Sequence, residues 1–134
     1  MSVWRRKALE CLPEYRQEIE DKGSSLYTAM SCLLTATEEA HKHQDTSKLK
    51  QYYGFAEWCF RQKEKDLWNA VAVSFYEHLG DSEDTFAAMH LWVKADVYKD
   101  VKGLIELRVG KEKIYELDIR YFGKSTADKM RNEK

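Results

Sequence analysis

A chain of 134 residues fits one domain, large enough to bury a core without disulfide or metal staples. With 43% hydrophobic, 13% aromatic and 34% charged residues, its composition is that of a globular chain rather than a disordered one. Its 22 basic and 23 acidic side chains leave a formal net charge of −1, so no global field exists to hold nucleic acid or an anionic membrane.

In chain order, residues 2–12 form a short amphipathic helix whose apolar groups are Val3, Trp4, Leu9 and Cys11. The N-terminus has basic residues but no sustained apolar run and no cleavage site, so it does not read as a signal peptide. Pro13 stops that helix or opens a new turn, because proline is tolerated at the first helical position and nowhere deeper. Residues 14–22 continue as a polar helix ended by Gly23, and Ser24 or Ser25 caps the next. That next helix, 26–41, lines up Leu26, Met30, Leu33, Leu34 and Thr37. Asp45 or Thr46 then caps a helix whose stripe is Leu49, Tyr52, Tyr53, Ala56, Cys59 and Phe60.

The charged corner 61–66 leads to the segment around which the chain is organised, 66–80. Leu67, Val71 and Phe75 form one apolar row, and Trp68, Ala72, Phe75 and Leu79 a second. A helix apolar nearly all round is central, so Trp68, Val71, Phe75 and Leu79 are expected to be sealed from water. Asp66 is its expected cap and Gly80 its left-handed stop. The run 81–84 resembles a capping box with Ser82 at the cap, opening a helix through Phe86, Met89, Trp92 and Val93 to about Tyr98. Val101, Leu104, Ile105 and Leu107 suit another helix, with Gly110 just past its end.

Residues 111–122 carry two patterns. Leu117, Ile119 and Tyr121 alternate with polar residues as in a strand, pairing with 106–109 as a hairpin; Ile114, Leu117 and Tyr121 also fall at helical spacing, closed by Gly123. Helix is the preferred reading, since a lone hairpin on a helical body is uncommon. The expectation is therefore an all-α domain over 1–123, a compact antiparallel helical bundle or a short stack of helical hairpins with about 6–7 helices, followed by a polar tail, 124–134, that frays.

Cys11, Cys32 and Cys59 contain no CxxC pair and sit among apolar neighbours, which suits buried free thiols in a reducing cytoplasm. No segment is apolar enough for a membrane span. His41 and His43 are two apart rather than four, so helix-end charge is expected of them, not metal. The singly scattered glycines make no phosphate cradle, and no cofactor is expected. Glu77, His78 and His90 are the available acid–base set for an enzyme, if they meet in one cleft. All four tryptophans are expected in the core, although aromatic abundance also suits an interaction surface.

The central region, roughly Leu49–Gly80, carries the run YGFAEWCFRQKEKDLWNAVAVSFYEHLGD, which resembles a family of small all-helical bacterial proteins similar to the immunity proteins of interbacterial toxin systems. That resemblance implies a cytoplasmic, non-catalytic protein that neutralises a cognate toxin by covering its active site. A nuclease toxin presents a basic cleft, which an inhibitor meets with acids and aromatics. Asp81, Glu83 and Asp84, with Glu38 and Glu39 as a second patch, are the expected partner-binding residues. The alternatives are the Glu/His enzyme and a homo-oligomeric scaffold.

Overall fold

The computed structural model describes residues 2–21 and 23–132 as nine α-helices and two 3-10 turns, with no strand among them. Caps fix the first half. Ser2 Oγ accepts the Arg5 N–H at 3.4 Å and opens α1 (Val3–Cys11). Pro13–Tyr15 is a 3-10 turn leading into α2 (Arg16–Glu20); Lys22, the expected end of this polar stretch, lies outside the described residues. Arg5 reaches across and donates to the Ile19 carbonyl, tying α1 to α2. Ser25 Oγ accepts from Thr28 N–H at the start of α3 (Leu26–Lys42), and Asp45 Oδ1 accepts from Lys48 N–H at 3.1 Å at the start of α4 (Thr46–Phe60). Each side-chain cap satisfies a backbone donor that the first helical turn cannot.

The central segment departs from a single helix. Here α5 (Lys65–Ser74) begins two residues earlier than expected, with Glu64 at the cap position and Asp66 inside the first turn. It breaks at Phe75 (φ −123°, ψ −71°) and continues as a 3-10 turn, Tyr76–His78. The break lets two successive aromatics be buried, Phe75 at 0% and Tyr76 at 2% exposure, edge to face with centroids 5.2 Å apart. Val71, Phe75 and Leu79 are sealed as expected. Trp68 is not: at 36% exposure it overhangs the core edge. Nor is Gly80 left-handed, since the positive-φ glycines are Gly110 and Gly123. Its need is space: a Cβ there would stand 2.7 Å from Val109 Cγ1.

The expected helix to Tyr98 is two. After α6 (Glu83–Trp92), Val93 and Lys94 are extended, and α7 (Ala95–Val109) begins anew with Tyr98 in its second turn. The break is held from a distance, by the Tyr121 hydroxyl at 3.0 Å from the Met89 carbonyl and 2.8 Å from that of Val93. Gly110 and Gly123, at φ of 90° and 89°, turn the chain before α8 (Lys111–Phe122) and before α9 (Lys124–Asn132). The strand alternative for α8 falls. The tail is folded as far as it is described: α9 packs on α8 and buries Ala127 fully, while Glu133 and Lys134 lie outside the described residues.

The core runs through α3, α4 and α5, with α1 lying on α4 and α7 on the 3-10 turn after α5. Met30, Leu33, Ala56, Cys59, Ala70 and Val71 are all at 0% exposure. Trp4, Trp58 and Trp92 pack partly buried against this body rather than inside it. No helix among the described residues is long and apolar enough to cross a membrane.

Candidate functional site

The five expected partner-binding acids do not form one surface. Asp81 is engaged internally, 2.9 Å from Arg108 Nη2 and 3.1 Å from His78 Nδ1. Partial burial works against its carboxylate, but the hydrogen bonds from Arg108 and His78 outweigh that and hold it below its ordinary value. Glu83 and Asp84 are exposed in the first turn of α6. The expected capping box does not form there, because Ser82 makes no side-chain cap and Thr85 Oγ1 donates instead to the carbonyls of Leu79 and Ser82. On α3, Glu39 pairs with His43 at 3.3 Å, while Glu38 is half-buried one turn before His41. Asp84 lies close enough to His41 to bias its protonation, whereas Glu39 stands near Tyr15.

The histidines divide likewise. His41 Nε2 is 2.7 Å from the Tyr53 hydroxyl, and burial pushes its pKa down from 6.5, so the ring is neutral rather than the helix-end cation expected. His78 sits 3.9 Å from Glu77 at the Arg108–Asp81 cluster. His90 lines a different cleft, at the α6–α7 break, beside Trp92, Arg120 and Tyr121, with its Nδ1 buried and unpartnered. The three members of the acid–base set are not brought together. Among the described residues, no group of three His, Cys, Asp or Glu side chains is placed to hold a metal.

What the fold assembles instead is an acidic groove of about 490 Å³ between the Pro13–Tyr15 turn, α3 and α4. Glu14, Tyr15, Glu39, Asp45, Lys48 and Tyr52 line it. The Tyr52 hydroxyl donates to Glu14 Oε1 at 3.4 Å. Burial, then Glu14, push the Tyr52 phenol up to about 12. Tyr15 is raised as well, first by burial, then by the neighbouring Cys32 thiol once ionised and by the carboxylates of Glu14, Glu18 and Glu39. Glu18 also raises the half-buried Cys32 thiol, after burial. Two protonated phenols therefore stand as donors in a field set by carboxylates. Such a groove accepts a cation and a flat apolar group together, and it holds no activated nucleophile. Glu39 is the one expected site residue that reaches it. Glu14 and Glu18 carry no signal in the sequence, because they surround Tyr15 together with Glu39 only once the 3-10 turn has folded α2 against α3.

A second opening is apolar. Phe60, Trp68, Ala72, Val73 and Leu104 line a cleft of about 480 Å³ between α5 and α7, with Asp100 as its charged member. At its edge Asn69 Nδ2 donates to the hydroxyl of the exposed Tyr27 at 3.1 Å.

Residues 5–107 match the model of a domain of unknown function, DUF7674. The chain belongs to the DUF7674 family. No curated protein and no solved structure matches it. Both openings of this DUF7674 chain are built from residues within the matched span, whereas α8 and α9 lie beyond it.

Proposed function

We propose that this DUF7674 chain is a non-catalytic protein-binding module, an immunity-type protein of the bacterial cytoplasm that neutralises a cognate toxin by covering its active site. The observation that carries this reading is the tyrosine-bearing acidic groove at Glu14, Tyr15, Glu39 and Tyr52. Acidic and aromatic groups together suit a basic, substrate-binding surface such as a nuclease presents, giving both steering and anchoring. Glu38, Glu83 and Asp84 supply a second acidic face for the outer part of the contact. Asp81, already held by Arg108, contributes to the turn it stabilises. The enzyme alternative has less support, because His90 lies in a cleft that neither Glu77 nor His78 lines.

The test is co-expression with each candidate toxin domain found among the neighbouring genes, read as recovery of growth, together with calorimetry of the purified pair. Recovery is expected, with an affinity that falls as salt rises and drops about tenfold or more in a Glu14→Lys/Glu39→Lys double variant. No recovery and no complex at low salt would overturn the reading, and a double variant that binds normally would remove the groove from it.

A further inference from the structure

Tyr53 is buried, at 4% exposure, between a base and a second oxidisable ring. Its hydroxyl lies 2.7 Å from His41 Nε2, and its ring stacks on Trp92 with centroids 5.5 Å apart and planes 11° from parallel. Both neighbours are half-buried, His41 near the end of α3 and Trp92 in the cleft at the α6–α7 break, so each links the sealed ring to the surface. Removing an electron from a phenol makes its O–H proton strongly acidic. A buried phenol is therefore oxidised readily only where a base already stands within hydrogen-bond reach of that proton. His41 is such a base: burial keeps the ring neutral, and the nearby Asp84 carboxylate favours the imidazolium that proton uptake makes. The hydroxyls of Tyr52 and Tyr98 face the carboxylates of Glu14 and Asp118, which are weaker bases, and that of Tyr121 faces two carbonyls.

We propose that Tyr53 is a redox-active tyrosine, fed through Trp92 and paired with His41 as its proton acceptor. A one-electron oxidant at the cleft takes an electron from Trp92. An electron from Tyr53 then restores the indole, while the Tyr53 O–H bond breaks and an N–H bond forms at His41 Nε2. The oxidant has gained one electron, Trp92 is unchanged, and the products are a neutral phenoxyl radical and an imidazolium. On a sealed ring that radical cannot meet and couple with another, as one on the exposed Tyr27 can. The oxidising equivalent is thus held inside the core instead of at the cleft. Neither Tyr53 nor Trp92 lines the acidic groove, so this relay is independent of the toxin-binding reading.

Pulse radiolysis of the purified full chain with azide radicals, which oxidise tryptophan ahead of tyrosine, tests the relay. A tryptophanyl radical should convert to a tyrosyl radical at a rate independent of protein concentration and slower in heavy water, leaving a long-lived tyrosyl signal in electron paramagnetic resonance. Tyr53→Phe and Trp92→Phe keep the ring packing and the circular dichroism, and each should remove that long-lived signal. His41→Gln keeps an acceptor oxygen but cannot take up the proton, and should slow the conversion about tenfold or more. A chain that shows no such conversion, or a long-lived signal that survives Tyr53→Phe, overturns the proposal. A wild-type rate in His41→Gln removes His41 as the proton acceptor, and an undiminished signal in Trp92→Phe removes Trp92 as the way in.

Discussion

The centre of the molecule and its C-terminal end are held by different physics. Around α5 the contacts are apolar: Ala70, Val71, Phe75 and Leu79 are wholly buried, and Phe75 meets Tyr53 and Tyr76 edge to face at 5.9 and 5.2 Å. At the other end α8 is joined to α7 by a polar staple. Asp118, 4% exposed, accepts from the Tyr98 hydroxyl at 2.7 Å and from Lys102 Nζ at 2.8 Å, and α9 is added through Tyr115–Asp128 and Arg131–Glu112. An apolar seal degrades in proportion to the volume removed, whereas a buried charge network fails at once when one member leaves its partners unsatisfied.

Substitutions at each end sharpen that contrast. Phe75→Ala should cost the most, about 3–5 kcal/mol, and unfold the chain as one unit in urea, because the cavity opens where α4, α5 and the 3-10 turn meet. Asp118→Ala should come next, at about 2–4 kcal/mol, with the partial exposure of Lys102 keeping it below the full cost of breaking a buried pair. Hydrogen exchange should then show α8 and α9 opening ahead of α3–α5. Uniform exchange across the chain would erase the distinction between the two ends.

His41 gives a milder test at the centre. Its pKa is lowered on folding, so the unfolded chain binds the extra proton first. Stability should be fully present above about pH 6.5 and decline as pH falls below it, and His41→Asn should remove that part of the slope. The smallest effect belongs to the exposed pairing of Glu57 with Arg61 and Lys94, at 2.9 and 3.0 Å. Glu57→Gln should shift thermal stability by about 1 kcal/mol or less, and less still at high salt.

The same contrast separates the parts of the fold that are legible in the sequence from those that are not. The stripe from Leu49 to Cys59 and the stops at Gly110 and Gly123 follow from local spacing and backbone freedom, and the structure chooses Ser25 over Ser24 and Asp45 over Thr46 as caps. The break after Trp92 has no proline or glycine to announce it, because its support comes from Tyr121, 28 residues away. Residue type also hides α9, whose polar sequence buries little beyond Ala127 and docks on α8 through the Arg131–Glu112 ion pair and the Tyr115–Asp128 hydrogen bond. Trp68 misleads because periodicity gives the face of a helix and not whether a neighbour extends far enough to cover it. The acidic groove is illegible for a related reason: Glu14 and Glu39 are 25 positions apart and ordinary in isolation.

The interruption at Phe75 also bears on where this chain can change length. A one-residue insertion in a regular helix rotates the downstream residues by about 100°, which a surface stretch absorbs. Here Phe75, Tyr76 and Leu79 enter the interior in different directions from an already irregular backbone, and Gly80 lies against Val109 just beyond. An added or deleted residue between Ser74 and Gly80 would put at least one aromatic ring in water, so length variation belongs in the connections on either side and not in this hinge of the fold.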